Sequence, residues 1–140
     1  MTAGVREYSS ASLDDLSDLR DFVERTALSM GASVEEIGEL VMAANEAVEN
    51  VIIHGYLQKP GVVRVLLESK NGCIVLRIFD RSPRFDPTTV QALDVSKPPH
   101  ERSQGGLGVH MMRSFTDEMR YSTSPSGENE LVLVKRLSNR

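Results

Sequence analysis

The chain has 140 residues, 40% hydrophobic and 26% charged, an ordinary globular composition that supports one core and leaves little room for a second domain. A net charge of −4 without any basic run argues against direct nucleic-acid binding, which takes clustered lysine and arginine, and suits a basic protein partner better. No apolar run reaches membrane-spanning length, no signal peptide is evident, and the single cysteine, Cys73, excludes an internal disulfide, so the expectation is one cytoplasmic domain, residues 1–140, without membrane association.

Taken in chain order, Val5 to Tyr8 reads as a short strand. Ser12 followed by Asp15 opens a helix that runs to about Met30 and stops at Gly31, with Leu16, Leu19, Val23 and Ala27 as its apolar stripe. The acids and arginines between them read as a solvated face, so this helix is scaffold or interface. Ser33 to Tyr56 is the longest periodic stretch and predicts a second helix, with Ser33 and Glu36 as a capping box. Glu35, Glu36 and Glu39 also place negative charge at the positive end of the helix dipole.

At 100° per residue, Ile37, Leu40, Val41, Ala44, Val48, Val51 and Ile52 form one apolar face of this helix. The opposite side carries Met42, Ala43, Glu46, Asn50 and Ile53, so Glu46 and Asn50 stand one turn apart among small and apolar neighbours. Such a pair is either an ordinary exposed acid and amide, or two parts of one site in which the acid takes a proton and the amide oxygen meets a hard cation such as Mg²⁺.

Val62 to Ser69 and Cys73 to Phe79 are β-branched and apolar runs joined through Asn71-Gly72, the strongest short signal for an antiparallel hairpin. The place of Cys73 in such a run predicts a buried thiol. From Asp80 to Gln104 the pattern breaks into a long, proline-rich loop, with at most a helical turn near Thr88 to Leu93. Gly105 to Phe115 reads as a third helix, followed by strands at Met119 to Ser122 and Leu131 to Leu137 around a Pro125 to Gly127 turn. Too few helices separate the strands for a parallel sheet, so the fold class is an α/β two-layer sandwich, helices on one face of a mostly antiparallel sheet.

Three further features bear on chemistry. Gly105-Gly106-Leu107-Gly108 lies between the loop and the third helix, where backbone N–H groups and the helix dipole suit phosphate oxygens, or where glycines simply make a hinge. It is not a Rossmann turn, because no strand precedes it, nor a P-loop, because G-K-S/T is missing. Asp80 sits where the second hairpin strand hands over to the loop, as a turn-former or a presented acid. Arg81, Arg84, Arg102 and Arg113 flank these segments as surface charges or phosphate ligands, and the histidines at 54, 100 and 110 show no zinc spacing.

In this order and separation, Glu46-Ala47-Val48-Glu49-Asn50 with His54-Gly55-Tyr56, Asp80 with Phe85-Asp86-Pro87, and Gly105-Gly106-Leu107-Gly108 with Arg113, Asp117 and Tyr121 resemble the N, G1 and G2 boxes of the GHKL ATPase superfamily. More narrowly, the chain is similar to the small bacterial anti-sigma factor serine/threonine kinases. The resemblance implies a Bergerat fold and Mg²⁺-dependent use of ATP. It implies Glu46 as general base, Asn50 as the Mg²⁺ ligand, Asp80 as the residue that recognises the adenine amino group, and Gly105, Gly106, Leu107 and Gly108 as the backbone that wraps the phosphates. A STAS-domain anti-anti-sigma factor as substrate, a sigma factor as second partner and a homodimer follow from the same likeness.

The chain departs from the family pattern in two places. Ser82 and Arg84 replace the usual G1-box glycines, and Glu128-Asn129-Glu130 lacks the threonine often found near the start of the last strand. Arg84 either closes off nucleotide or contacts its phosphates, which leaves open a partner-binding module with weak or no kinase activity, or a stand-alone ATPase.

Overall fold

The computed structural model describes residues 3–83 and 106–138. The expected turn near Thr88 to Leu93, Arg84 and Gly105 therefore lie outside the described residues. In order, the elements are β1 (Ala3–Tyr8), a 3₁₀ turn (Leu13–Asp15), α1 (Leu16–Ser29), α2 (Val34–Asn50) and a π-helical turn (Val51–Gly55). There follow β2 (Val63–Lys70), β3 (Cys73–Asp80), α3 (Gly106–Phe115), β4 (Glu118–Thr123) and β5 (Asn129–Arg136). The strands form one sheet in the order β1-β2-β3-β5-β4, and every pairing is antiparallel. The expected sandwich is thus observed, with a fully antiparallel sheet among the described residues.

Period-two alternation decides which face is covered. Val63, Val65 and Leu67 of β2, Ile74, Leu76 and Ile78 of β3, and Leu131 and Leu133 of β5 are buried in one core. Leu19 and Val23 of α1, Leu40 and Val48 of α2, and Val109 and Met112 of α3 share it. Each large aliphatic side chain so buried contributes about 1.5–3 kcal/mol. The other face is a mixed surface. Arg77 bridges Glu68 at 2.9 Å and Glu130 at 2.7 Å, the Arg64 guanidinium lies 4.3 Å from the centre of the Phe79 ring, and Val75, Val132 and Val134 form a small apolar cluster. Cys73 packs against that cluster and is half-buried. The fully buried thiol expected from its apolar run is corrected by parity, since Ile74, Leu76 and Ile78 take the core positions and leave Cys73 on the outer face.

The Asn71-Gly72 turn has φ of 52° and 78° at its two central residues, and the Lys70↔Cys73 pair closes it. Positive φ at both positions is the type I′ geometry whose twist matches a hairpin. At Ser12 the predicted cap is present as the Ser12 N–H donating to Asp15 Oδ2 at 2.9 Å, although a 3₁₀ turn precedes α1.

The capping box of α2 is complete. The Ser33 N–H donates to Glu36 Oε1 at 2.8 Å, and the Glu36 N–H donates to Ser33 Oγ at 3.1 Å. Glu36 also ties the far end of the chain, because the Ser138 N–H donates to its second oxygen at 2.7 Å. α2 does not continue as a regular helix to Tyr56. Its last turn widens, and the Tyr56 N–H donates to Val51 O at 2.7 Å, an i→i−5 bond. Leu57 and Gln58 then turn the chain with φ of 53° and 61°.

Backbone donors at Ser33 and Ser138 hold the Glu36 carboxyl at a pKa of about 2, below its ordinary 4.5. Because the folded value is the lower one, this stabilisation is complete above pH 4.5 and is lost as pH falls toward 2. Glu36→Gln is therefore expected to lower stability at pH 7 by roughly 2–3 kcal/mol and to shrink the difference from wild type as the pH is lowered through that window. Urea unfolding at a series of pH values measures both; parallel pH profiles for the two proteins would disprove this account of Glu36.

Candidate functional site

α2 packs on α1 along one flank and on α3 along the other, above the sheet. Ala43 and Ala47 are fully buried, and small side chains there let a neighbouring helix come close. A polar residue on this part of α2 is consequently enclosed. Asn50 is buried, and its Nδ2 has no hydrogen-bond partner among the described residues. An unsatisfied buried amide is destabilising by roughly 1–3 kcal/mol, so its persistence points to a ligand.

Asp80 ends β3 on the same, inward face. Its Oδ1 accepts three hydrogen bonds, from the Ser82 N–H at 2.9 Å, Ser82 Oγ at 2.6 Å and Asn129 Nδ2 at 2.9 Å. Asn129 begins β5 directly opposite Asp80 in the β3–β5 register. Its Nδ2 also donates to Ser82 O at 3.0 Å, and its Oδ1 accepts from Thr123 Oγ1 of β4 at 2.9 Å. Behind this network Tyr56 fastens the π-turn to the sheet. Its hydroxyl donates to Val62 O at 2.6 Å and accepts from the Arg81 N–H at 2.8 Å.

Asn50 and Asp80 meet across a cavity of about 20 Å³, lined also by Ala47, Val51, Met112, Tyr121 and Leu131. The gap is water-sized. Its significance lies in bringing α2, the end of β3, α3, β4 and β5 to one point. Glu46 stands one turn before Asn50 and is not part of the cavity wall. Half-buried, its carboxyl has a raised pKa, first because burial disfavours the charged form and second because Glu49 lies close.

The remaining expected residues are placed as follows. Gly106, Leu107 and Gly108 form the first turn of α3. Arg81 is exposed and its guanidinium donates to Ser126 O at 2.9 Å, away from the cavity. Arg113 lines a separate surface depression with Thr116, Asp117, Glu118 and Met119. The structure therefore unites Asn50 and Asp80, sets Glu46 beside them, and leaves these two arginines apart. Among the described residues no group of three or more His, Cys, Asp or Glu is arranged around a metal position, and no helix is long and apolar enough to cross a membrane.

In the sequence Ser82 and Asn129 stand out only as departures from the pattern it resembles, whereas in the fold both contact Asp80. One signal was available. Asn129 has the same parity as Leu131 and Leu133, so an amide there faces the core and needs a buried partner.

Comparison with known proteins agrees with this arrangement. The family model described as a histidine kinase-like ATPase domain matches residues 9–135. The anti-sigma F factor of Clostridium acetobutylicum is 28% identical over 130 residues, covering 91% of this chain and 90% of the relative. That of Clostridium kluyveri is 30% identical over 131 residues, covering 92% and 90%. Among solved structures, the RsbU and RsbW domains of Rv1364c from Mycobacterium tuberculosis superpose with a TM-score of 0.60 at 18% identity. The match covers 96% of this chain and 32% of that longer chain, and at this identity it supports the fold. With the model spanning nearly the whole chain and relatives matched along most of their length, the protein belongs to the histidine kinase-like (GHKL) ATPase superfamily and, within it, to the bacterial anti-sigma factor serine/threonine kinase family.

Proposed function

We propose that this protein is a Mg²⁺- and ATP-dependent protein serine/threonine kinase that phosphorylates a STAS-domain anti-anti-sigma factor and also binds a sigma factor. The observation that carries the reading is the buried, unpartnered Asn50 amide sharing a cavity with Asp80. Asn50 is the residue that would hold Mg²⁺, a hard cation that takes oxygen ligands and usually needs few from the protein. The orphaned atom is the donor Nδ2, and a half-turn of the amide would bring Oδ1, the oxygen that suits Mg²⁺, to the same place. When bound, Mg²⁺ neutralises phosphate charge.

Phosphoryl transfer needs positioning and charge compensation more than covalent help. Asp80, at the rim of the sheet, accepts a hydrogen bond from the adenine amino group. The first turn of α3, Gly106-Leu107-Gly108, offers backbone N–H groups to phosphate oxygens, and the resemblance gives Gly105 and Arg84 a role in nucleotide binding as well. Glu46 takes the proton of the partner's serine or threonine hydroxyl. Its raised pKa suits that task, since a base works best when its pKa approaches the working pH. A homodimer belongs to the same reading, as the resemblance implies, and the sheet face that the helices leave uncovered would be available for it.

A second reading, a partner-binding module with weak or no kinase activity, is favoured by one observation. The gap between Asn50 and Asp80 is water-sized, and Ser82 fills the space beside Asp80. Calorimetry separates the two: low-micromolar binding of ATP with Mg²⁺ supports the kinase, and no binding at millimolar nucleotide supports the module.

Glu46→Gln is expected to reduce transfer of labelled phosphate to the anti-anti-sigma partner by about 10²–10⁴-fold, the ordinary contribution of a positioned general base. The same substitution is expected to raise the Tm at pH 7. A carboxyl whose folded pKa lies above its ordinary value stabilises least once pH has risen past both values, so removing the charge helps the fold. Equal labelling by wild type and variant would sink the assignment of the base.

Asn50→Leu replaces the unpartnered amide with an apolar side chain of similar size. It is expected to stabilise the ligand-free protein by about 1 kcal/mol while abolishing Mg²⁺-dependent ATP binding. Denaturant melts beside calorimetry check the pair of effects; unchanged nucleotide affinity would remove Asn50 from the site.

A further inference from the structure

Ser82 and Asn129 stand at two positions where the chain departs from its family's pattern, and they are far apart in sequence. In the fold they converge on a single atom. Asp80 Oδ1 receives Ser82 N–H, Ser82 Oγ and Asn129 Nδ2. The Asn129 amide is itself oriented, because Thr123 Oγ1 donates to its oxygen and so turns its NH₂ toward Asp80. The same NH₂ grips Ser82 O, closing a ring of contacts around Asp80.

Space fixes the arrangement as firmly as hydrogen bonding does. A Cβ on Gly55 would lie 2.5 Å from Ser82 Oγ and 3.0 Å from Ser82 Cβ. The π-turn at the end of α2 therefore backs directly on Ser82 and keeps its hydroxyl on Asp80. All three acceptor contacts end on Oδ1, and Asp80, Ser82 and Asn129 are each at most 8% exposed. A carboxylate so held cannot turn to exchange its oxygens, and Oδ2 keeps one position.

We propose that Ser82 and Asn129 are positioning residues that pin Asp80 through Oδ1, leaving Oδ2 as a fixed acceptor that selects a 6-aminopurine over a 6-oxopurine. The inference rests on the nucleotide-binding reading above and adds the residues that set base preference. The chemistry is direct. A carboxylate only accepts hydrogen bonds, so a fixed Oδ2 pairs with an exocyclic amine and repels a carbonyl oxygen at the same place. A carboxylate released from its lock swings away, which weakens the amine contact and relieves the repulsion together. The two departures thus act as one device: each supplies a donor that a glycine at 82 or an apolar residue at 129 would not.

The test is the affinity of the intact protein for ATP and for inosine triphosphate, both with Mg²⁺, in wild type, Ser82→Ala and Asn129→Leu. Ser82→Ala keeps the Cβ against Gly55 and removes only the hydroxyl, so it serves if Asn129→Leu fails to fold. The expected result is a preference for ATP in wild type that falls about tenfold in each variant, the scale of one hydrogen bond to a charged group. The double variant should lose less than the two single losses combined, because both act on one oxygen. A lock with only a structural role would weaken both nucleotides alike. An unchanged ratio in variants that melt like wild type overturns the inference and leaves nucleotide binding standing. Absence of binding by wild type to either nucleotide overturns both.

Discussion

A helix covered below by a sheet and on both flanks by other helices has little room for a solvated face. That constraint on α2 governs the rest of this molecule. It converts Asn50 from a surface amide into a buried one, makes Ala43 and Ala47 necessary as small contacts, and raises the proton affinity of Glu46 by partial desolvation. The polar stripe is unfavourable for the fold, and such local conflicts between stability and composition gather at functional sites.

The opposing wall is arranged by the sheet. Antiparallel register places Asn129 across from Asp80, and hairpin parity turns both toward the helices. Two secondary features join the walls. The π-turn after α2 lets Gly55 touch Ser82, while Tyr56 links that turn to the first residues beyond β3. π-turns recur at functional sites because the widened backbone re-aims the chain. Here the widening carries the end of α2 onto the residues that hold Asp80.

The departures from the family pattern take on a different meaning in this setting. Viewed along the chain, Ser82 stands where the family pattern has a glycine, and Asn129 lies in a run that lacks its threonine. Viewed in the fold, they are two donors to one carboxylate oxygen, with Thr123 orienting the second. A substitution near a site is thus interpretable only together with whatever it touches.

Much of this protein was legible in its sequence. Apolar period, caps and the Asn71-Gly72 turn determine α1, α2 and the β2–β3 hairpin, because these are local effects of side-chain spacing and backbone preference. The helical spacing also singled out Glu46 and Asn50, and the end of the second hairpin strand singled out Asp80. The sequence could not show that α2 gives way to a π-turn at Val51, that Cys73 faces outward, or that Asn129 reaches Asp80. Those outcomes depend on strand register and on packing between distant segments, such as Asp80 and Asn129, 49 residues apart. Long-range pairing is not encoded in any single window, and only the assembled sheet decides it.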